Sequence, residues 1–178
     1  MAEITHRLAQ QEDLAALREL MRRAIEQLQH AFLSPDQVRA SHQVMGLDTQ
    51  LIEDQTYFVV EQDGCLAGCG GWSWRATLYG GDDSMVAREP LPLDPATEAA
   101  KIRAMYTDPA FARRGIGRMI LGLCEGAARD AGFARVEMMA TLAGEPLYQS
   151  AGYRPTEAIT SDSIDGVQVP LIRMEKWL

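Results

Sequence analysis

The sequence predicts a mixed α/β (α+β) fold in one domain spanning residues 1–178. Three observations lead there. Short runs rich in β-branched and aromatic residues alternate with two long stretches of helical apolar spacing. Turn signals such as Asp63-Gly64, Asp108-Pro109 and Asp165-Gly166 separate them. A chain of 178 residues is a usual length for one domain and buries roughly 70% of its unfolded surface.

Glu3–Leu8 reads as a first strand. Leu14, Leu17, Met21, Ile25 and Leu28 then recur at helical intervals across Gln11–Gln29. Ser34-Pro35-Asp36 starts a second helix, with Ser34 as N-cap and Pro35 in the first turn, running to about Val44. Thr56–Gln62 is strand-like, Asp63-Gly64 is a hairpin turn, and Cys65–Trp74 returns as the next strand. Gly68, Gly70 and Gly71 weaken that strand or mark a bulge. Gly80–Thr97, with its glycines, prolines and acidic residues, is a long loop. Lys101–Thr107 is a strand. A helix follows from Gly115 to Ala131, with Ile116, Ile120, Leu123, Ala127 and Ala131 as its apolar face and Gly132 at its C-terminal cap. Ala134–Ala140 is a strand, Gly144–Gly152 holds a short helix, and two strands near Thr156–Ser161 and Val167–Trp177 flank Asp165-Gly166.

Composition narrows the function. The chain carries 17 Lys and Arg against 25 Asp and Glu, a net charge of −8, and its pI is near 4.9. That balance disfavours nucleic acid, which wants clustered cations, and mildly favours cationic ligands. No run of 18 apolar residues suggests a membrane span, and the N-terminus lacks the pattern of a signal peptide. The expected location is therefore cytoplasmic. Cys65, Cys69 and Cys124 fit neither a disulfide framework nor a zinc site, and His6, His30 and His42 show no ligand spacing, so no metal is expected. Cys65 and Cys69 read as two buried thiols on one strand face.

The stretch Met105–Arg118 carries the chemistry. It is a strand, a loop with Gly115 and Gly117, and a helix N-terminus. Free main-chain N–H groups and the positive helix end there suit an anion, glycine lets the chain approach closely, and Arg113, Arg114 and Arg118 add charge. The dinucleotide fingerprint is excluded for want of a third glycine, and the nucleotide-hydrolase phosphate loop for want of Gly-Lys-Ser/Thr. A phosphate-bearing ligand remains, against the alternative of an ordinary tight turn.

This loop resembles the acetyl-CoA loop of the GCN5-related N-acetyltransferase (GNAT) superfamily, Gln/Arg-x-x-Gly-x-Gly/Ala. Gly115 and Gly117 match, while Ala112 stands where the family prefers Gln or Arg. Leu147-Tyr148-Gln149-Ser150-Ala151-Gly152-Tyr153 resembles the family's Tyr-x-x-x-Gly-Phe/Tyr segment. The resemblance runs from Ile4 to Trp177. It implies a GNAT-like mixed, mostly antiparallel central sheet of about six to seven strands with flanking helices, and acetyl-CoA as co-substrate. It further implies that Arg113, Arg114, Gly115, Ile116, Gly117 and Arg118 hold the pyrophosphate and that Met105, Tyr106 and Thr107 pair with the pantetheine arm. Tyr148 corresponds to a general acid at the departing sulfur.

Other roles rest on the residues themselves. Glu98 is the first candidate for a base, against a solvated loop carboxylate, with Glu61 weaker. Trp72 and Trp74 share a strand face and are candidates for an acceptor wall, against plain core packing. Asp82, Asp83, Glu89 and Asp94 are candidates to draw in an amine. The leading expectation is an acetyl-CoA-dependent N-acetyltransferase acting on a small-molecule amine or an exposed amino group. The alternatives are a non-catalytic acyl-CoA-binding or sensing module and a dimeric structural protein. The resemblance also leaves room for a homodimer, and no nucleic acid or membrane partner is expected.

Overall fold

The computed structural model describes residues 1–178. In chain order the elements are β1 (Ile4–Leu8), α1 (Leu14–Leu28), α2 (Pro35–Ser41), α3 (Thr49–Glu53), β2 (Tyr57–Gln62), β3 (Cys65–Ser73), β4 (Ala100–Thr107), α4 (Ile116–Asp130), β5 (Arg135–Thr141), α5 (Glu145–Ser150), β6 (Arg154–Thr160) and β7 (Pro170–Trp177). The strands form one seven-stranded sheet in the order β1-β2-β3-β4-β5-β7-β6. Every neighbouring pair is antiparallel except β4 and β5, which α4 connects in parallel.

Local chemistry explains the helix ends. The Ser34 hydroxyl accepts from Gln37 N (3.2 Å) and the Gln37 side chain accepts from Ser34 N (3.0 Å), a reciprocal cap that starts α2. The helix ends at Ser41, short of the expected Val44, because the N–H groups of His42, Gln43 and Val44 turn back to carbonyls three residues earlier. Helix α3 was not expected. Asp48 caps it by accepting from Gln50 N at 3.1 Å, but five residues are too few to show a period.

Packing falls into three clusters. Leu17, Leu20 and Met21 of α1 cover Tyr57, Val59 and Cys69 on one face of the sheet. Helix α4 covers Ala67, Trp72, Ile102 and Val136 on the other. Helix α2 closes over Val169 and Leu171 beside the C-terminal strands. The buried stripe of α4 is Ile116, Ile120, Leu121, Cys124 and Ala128. It is rotated from the expected one: Leu123 and Ala127 are only half-buried and Ala131 is exposed, because a helix on a sheet buries the i, i+4, i+8 row that approaches most closely. That approach is tight at Gly68, where an added Cβ would lie 2.5 Å from Ile116 Cγ2.

The expectation of two buried thiols is corrected. Glu61 pairs with Leu66 but Val60 with Gly68, so Ala67 is an extra residue in β3. One inserted residue flips the alternation of faces. Cys69 is therefore buried and Cys65 exposed, and both are free.

Two features of β4 open the sheet. Opposite the single residue Gly70 stand both Ala104 and Met105, because Cys69 pairs with Tyr106 and Gly71 with Arg103. Ala104 is left-handed at φ +49, and its carbonyl accepts from the buried Tyr57 hydroxyl at 2.7 Å. In addition, β4 and β5 pair only at Ala100 with Val136 and Lys101 with Glu137. Beyond that point the strands part. The Glu137 carboxylate bridges Lys101 on β4 and Arg173 on β7 (2.8 Å) at the base of the split.

Candidate functional site

The split between β4 and β5 is a cleft of about 830 Å³. Its floor is Ile102–Thr107 of β4 with Met138, Met139 and Thr141 of β5. One wall is the loop before α4 together with α5, contributed by Ala112, Arg113, Gly115–Arg118, Ala143, Gly144, Pro146–Tyr148 and Ser150. The opposite wall comes from the C-terminal end of α1, the segment after α2, and Leu78–Gly80.

The shape of the loop wall follows from the backbone. Asp108 caps the turn after β4 by accepting from Ala110 N at 2.9 Å, and it also pairs with Arg23 of α1. Arg113 at φ +61 and Gly115 at φ +83 are both left-handed, which turns successive N–H groups toward one concavity. Gly115 is the N-cap residue of α4. The amides of Ile116, Gly117 and Arg118 lie in its first turn, where no intrahelical acceptor exists. A Cβ on Gly117 would lie 2.7 Å from the Leu147 Cδ2 methyl, so glycine lets α5 close onto the loop without displacing that side chain. The Arg118 guanidinium donates to the Ser150 hydroxyl at 2.8 Å and braces the two parts of this wall. Concave amides with nearby guanidinium groups suit a polyphosphate chain.

Tyr148 is buried and lines the cleft. Its ring meets Tyr153 edge to face, with centroids 6.1 Å apart. Burial, then the adjacent Cys124 thiol, pushes its phenol above the ordinary value, so it keeps its proton at neutral pH. Tyr106 is raised by burial too, although its oxygen accepts from Gly46 N at 2.9 Å.

The structure gathers most of the sequence-derived site residues. Met105, Tyr106, Thr107, Arg113, Gly115, Ile116, Gly117, Arg118 and Tyr148 all border the cleft. Others lie elsewhere, and those expectations are corrected. Arg114 stacks over the Phe111 ring at 5.4 Å, so Arg113 is the arginine beside Ala112 that faces the cleft. Glu98 is exposed at the far end of β4, where its carboxylate accepts from Asp94 N at 2.7 Å. Glu61 pairs with Arg7 at 3.1 Å at the sheet edge. Trp72 packs edge to face on Phe133, with centroids 6.2 Å apart, under α4. Trp74 packs against the same cluster, with the Arg75 guanidinium 4.1 Å from its ring centroid. The strand-face reading was right, but that face holds core. Asp82 is engaged by Arg88 (2.6 Å) and Thr49, and Asp83 by Arg18 (3.1 Å). Asp94 serves its own loop by accepting from Ala96 N at 3.0 Å.

The family resemblance implies that the helix pair between Gln11 and Val44 and the Gly80–Thr97 loop frame the acceptor pocket. Residues between 24 and 32, Val44 and Gly80 do line the opposite wall, but sequence reasoning assigned no individual side chain to it. Arg103 is buried there, donating to Asp48 (2.9 Å), to Gly80 O (2.8 Å) and to Thr77 O (3.2 Å). It thereby holds the start of the long loop against β4. Gln29 and Met45 border the cleft as well. No spacing signal marks any of them, because they come from three separate segments that meet only in the fold. The charged side chains that border the cleft are Arg103, Arg113 and Arg118, and none is acidic.

Comparison with protein families matches residues 22–153 to the acetyltransferase (GNAT) family. Comparison with curated proteins finds no match. Among solved structures, a GCN5-related N-acetyltransferase from Rhodopseudomonas palustris superposes with a TM-score of 0.71 at 17% identity, over 98% of this chain and 95% of that one. The acetyltransferase yncA from Salmonella typhimurium, solved with acetyl-CoA, gives 0.65 at 19% identity over 99% and 94%. The paia N-acetyltransferase from Thermoplasma acidophilum, in complex with coenzyme A, gives 0.63 at 14% identity over 99% of both chains. The likeness extends over the whole seven-stranded sheet. No helix here is long and apolar enough to cross a membrane.

Proposed function

The chain belongs to the acetyltransferase (GNAT) family, and on that premise we propose that it transfers an acetyl group from acetyl-CoA to an amine held in the cleft between β4 and β5. The observation that carries the assignment is the concave run of amides from Arg113 to Arg118, set between the parted strands and closed by α5 at Gly117. Acetyl-CoA would supply an acyl thioester.

Each requirement of the transfer then has a residue. The first-turn amides of α4, with Arg113 and Arg118, take the pyrophosphate charge. The main-chain edge of Met105–Thr107, freed where β4 leaves β5, pairs with the amide groups of the pantetheine arm. A main-chain N–H of the same stretch donates to the thioester oxygen as negative charge develops there. Tyr148 gives its proton to the departing sulfur, because burial keeps it protonated. The amine nitrogen forms the new C–N bond as the C–S bond breaks. The proton the amine loses returns, through water, to the Tyr148 oxygen. The reaction is therefore neutral overall.

Calorimetry with acetyl-CoA and a CoA-release assay test this reading. Binding and turnover are expected. Gly117→Trp should abolish binding in a protein that stays folded, because an indole cannot fit where a Cβ already meets Leu147. Unchanged affinity in that variant would remove the loop from the assignment. Binding without CoA release from any amine would favour a sensing module instead.

A further inference from the structure

We propose that the acceptor is a small apolar amine of low basicity, entering uncharged, and that the Gln29 side-chain oxygen accepts a hydrogen bond from a donor group next to that amine. This deepens the acetyltransferase reading and rests on it.

The first observation is an orphaned carbonyl. Gln29 is 4% exposed and borders the cleft. Its Nε2 donates to Ile25 O at 3.5 Å and toward Met45 Sδ at 3.7 Å. Both of those partners can only accept, which fixes the nitrogen on their side and leaves Oε1 facing away from them. Oε1 has no hydrogen-bond partner. Its own surface is covered, and buried amide oxygens are almost always paired, so a small turn of the side chain toward the cleft would offer this one to a ligand N–H or O–H.

The second observation is the surface around it. Leu28, Phe32, Val44, Met45 and Leu171 make this end of the cleft apolar. Phe32 borders the cleft and is 48% exposed, so its ring has a free face on this side. A ligand with an aromatic or branched aliphatic group would cover it.

The third observation is charge. No carboxylate borders the cleft, and its inner guanidinium, Arg103, is already neutralised by Asp48 at 2.9 Å. An ammonium entering here would lose water and find no counter-ion. An alkylamine with pKa near 10.4 is almost wholly charged at neutral pH, whereas an α-amino group near 7.7–8.0 has an appreciable neutral fraction. With no acidic side chain to take a proton, the cleft selects amines that have already shed one. An α-amino amide with a bulky side chain meets every term: a weakly basic amine, an apolar group, and an amide N–H for Gln29.

The test is CoA release from four probes: phenylalaninamide, glycinamide, phenylalanine and spermidine. Phenylalaninamide should lead glycinamide in kcat/KM by about tenfold or more from side-chain burial. Free phenylalanine, which brings an unpaired carboxylate, should fall well behind, and spermidine should be poorest. Gln29→Leu should cut kcat/KM for phenylalaninamide about tenfold, leave acetyl-CoA affinity unchanged, and keep or raise the thermal midpoint, since it removes an unsatisfied group. A role confined to structure would instead lower the midpoint. Phe32→Ser, at a half-exposed site, should shrink the lead of phenylalaninamide over glycinamide. Preference for spermidine, or an unaltered rate in Gln29→Leu, would overturn the proposal while acetyl-CoA binding still upheld the parent reading. Absence of acetyl-CoA binding would overturn both.

Discussion

Removing one oxygen atom, in Tyr57→Phe, tests how the cleft is held open. The Tyr57 ring is fully buried against α1 and α3, so phenylalanine keeps its packing. What disappears is the 2.7 Å bond to the carbonyl of Ala104. That residue is left-handed at φ +49 in the middle of β4, a conformation costing an L-residue about 1–2 kcal/mol. Ala104 borders the cleft and is half-buried, so the loss of its carbonyl's partner is placed in the lower part of the usual range of about 1–3 kcal/mol. We expect about 1–2 kcal/mol of lost stability. For a chain of 178 residues this is a fall of about 2–8 °C in thermal midpoint, at roughly 2–4 °C per kcal/mol. Urea unfolding should show a lower midpoint at an unchanged slope. The β4 edge would relax as well, and kcat/KM for acetyl-CoA should drop about threefold or more. Ala104→Gly is the companion variant. Glycine takes positive φ without strain, so stability should hold or rise by up to about 1 kcal/mol. A loss under about 0.5 kcal/mol in Tyr57→Phe, together with a marked loss in Ala104→Gly, would refute this account of the bulge.

Two further outcomes concern proton chemistry. Tyr148→Phe should lower kcat by about ten- to a hundredfold with little change in acetyl-CoA affinity. In the unaltered protein kcat/KM for the acceptor should rise with pH as the free acceptor loses its proton, and kcat should show no descending limb below about pH 10, because burial and Cys124 raise the Tyr148 phenol. A descending limb centred near pH 8–9 would rule out Tyr148 as the acid. At the base of the split, burial pushes the Glu137 carboxyl upward, but hydrogen bonds from Lys101 and Arg173 outweigh it and hold the group below its ordinary 4.5. A depressed carboxyl stabilises the fold above its unfolded value, and the gain is lost as pH falls through the lower, folded value. Stability should thus decline with acid from about pH 4.5 downward. Glu137→Gln should cost about 3 kcal/mol at neutral pH, since it strands the buried Lys101 ammonium, and should flatten the acid decline. An identical decline in the variant would show that Glu137 contributes none of it.

Much of this was legible in the sequence, unevenly. Ser34-Pro35, Asp63-Gly64 and the Gly115/Gly117 loop each encode structure locally, and each element lies where its residues place it. The loop part of one wall, Ala112–Arg118, was readable for the same reason: its residues are consecutive. Register was not. One extra residue at Ala67 reversed which faces Cys65 and Cys69 occupy, and no local preference announces a bulge there. The tryptophans illustrate another limit. Alternation shows that Trp72 and Trp74 share a face, but which helix covers it depends on the path of α4. The acceptor-side wall was hidden because Gln29, Met45 and Arg103 lie in segments that meet only through tertiary contact. Glu98 failed for want of reach: it lies at the wrong end of β4, engaged by its own loop.

The parting of β4 from β5 divides the protein into two workshops that can be altered separately. One wall is built of two chain segments, the loop before α4 and helix α5, braced against each other by Arg118 and Ser150. The opposite wall is assembled from a helix end and two connecting segments, and two residue pairs with a carboxylate bridge between β4, β5 and β7 close the base of the cleft between the walls. On the proposed reading, substitutions at Phe32, Val44 or Met45 reshape one wall without touching the amides of the Arg113–Arg118 loop. A lineage built on this plan can exchange acceptors by drift along one wall while its chemistry stays fixed on the other.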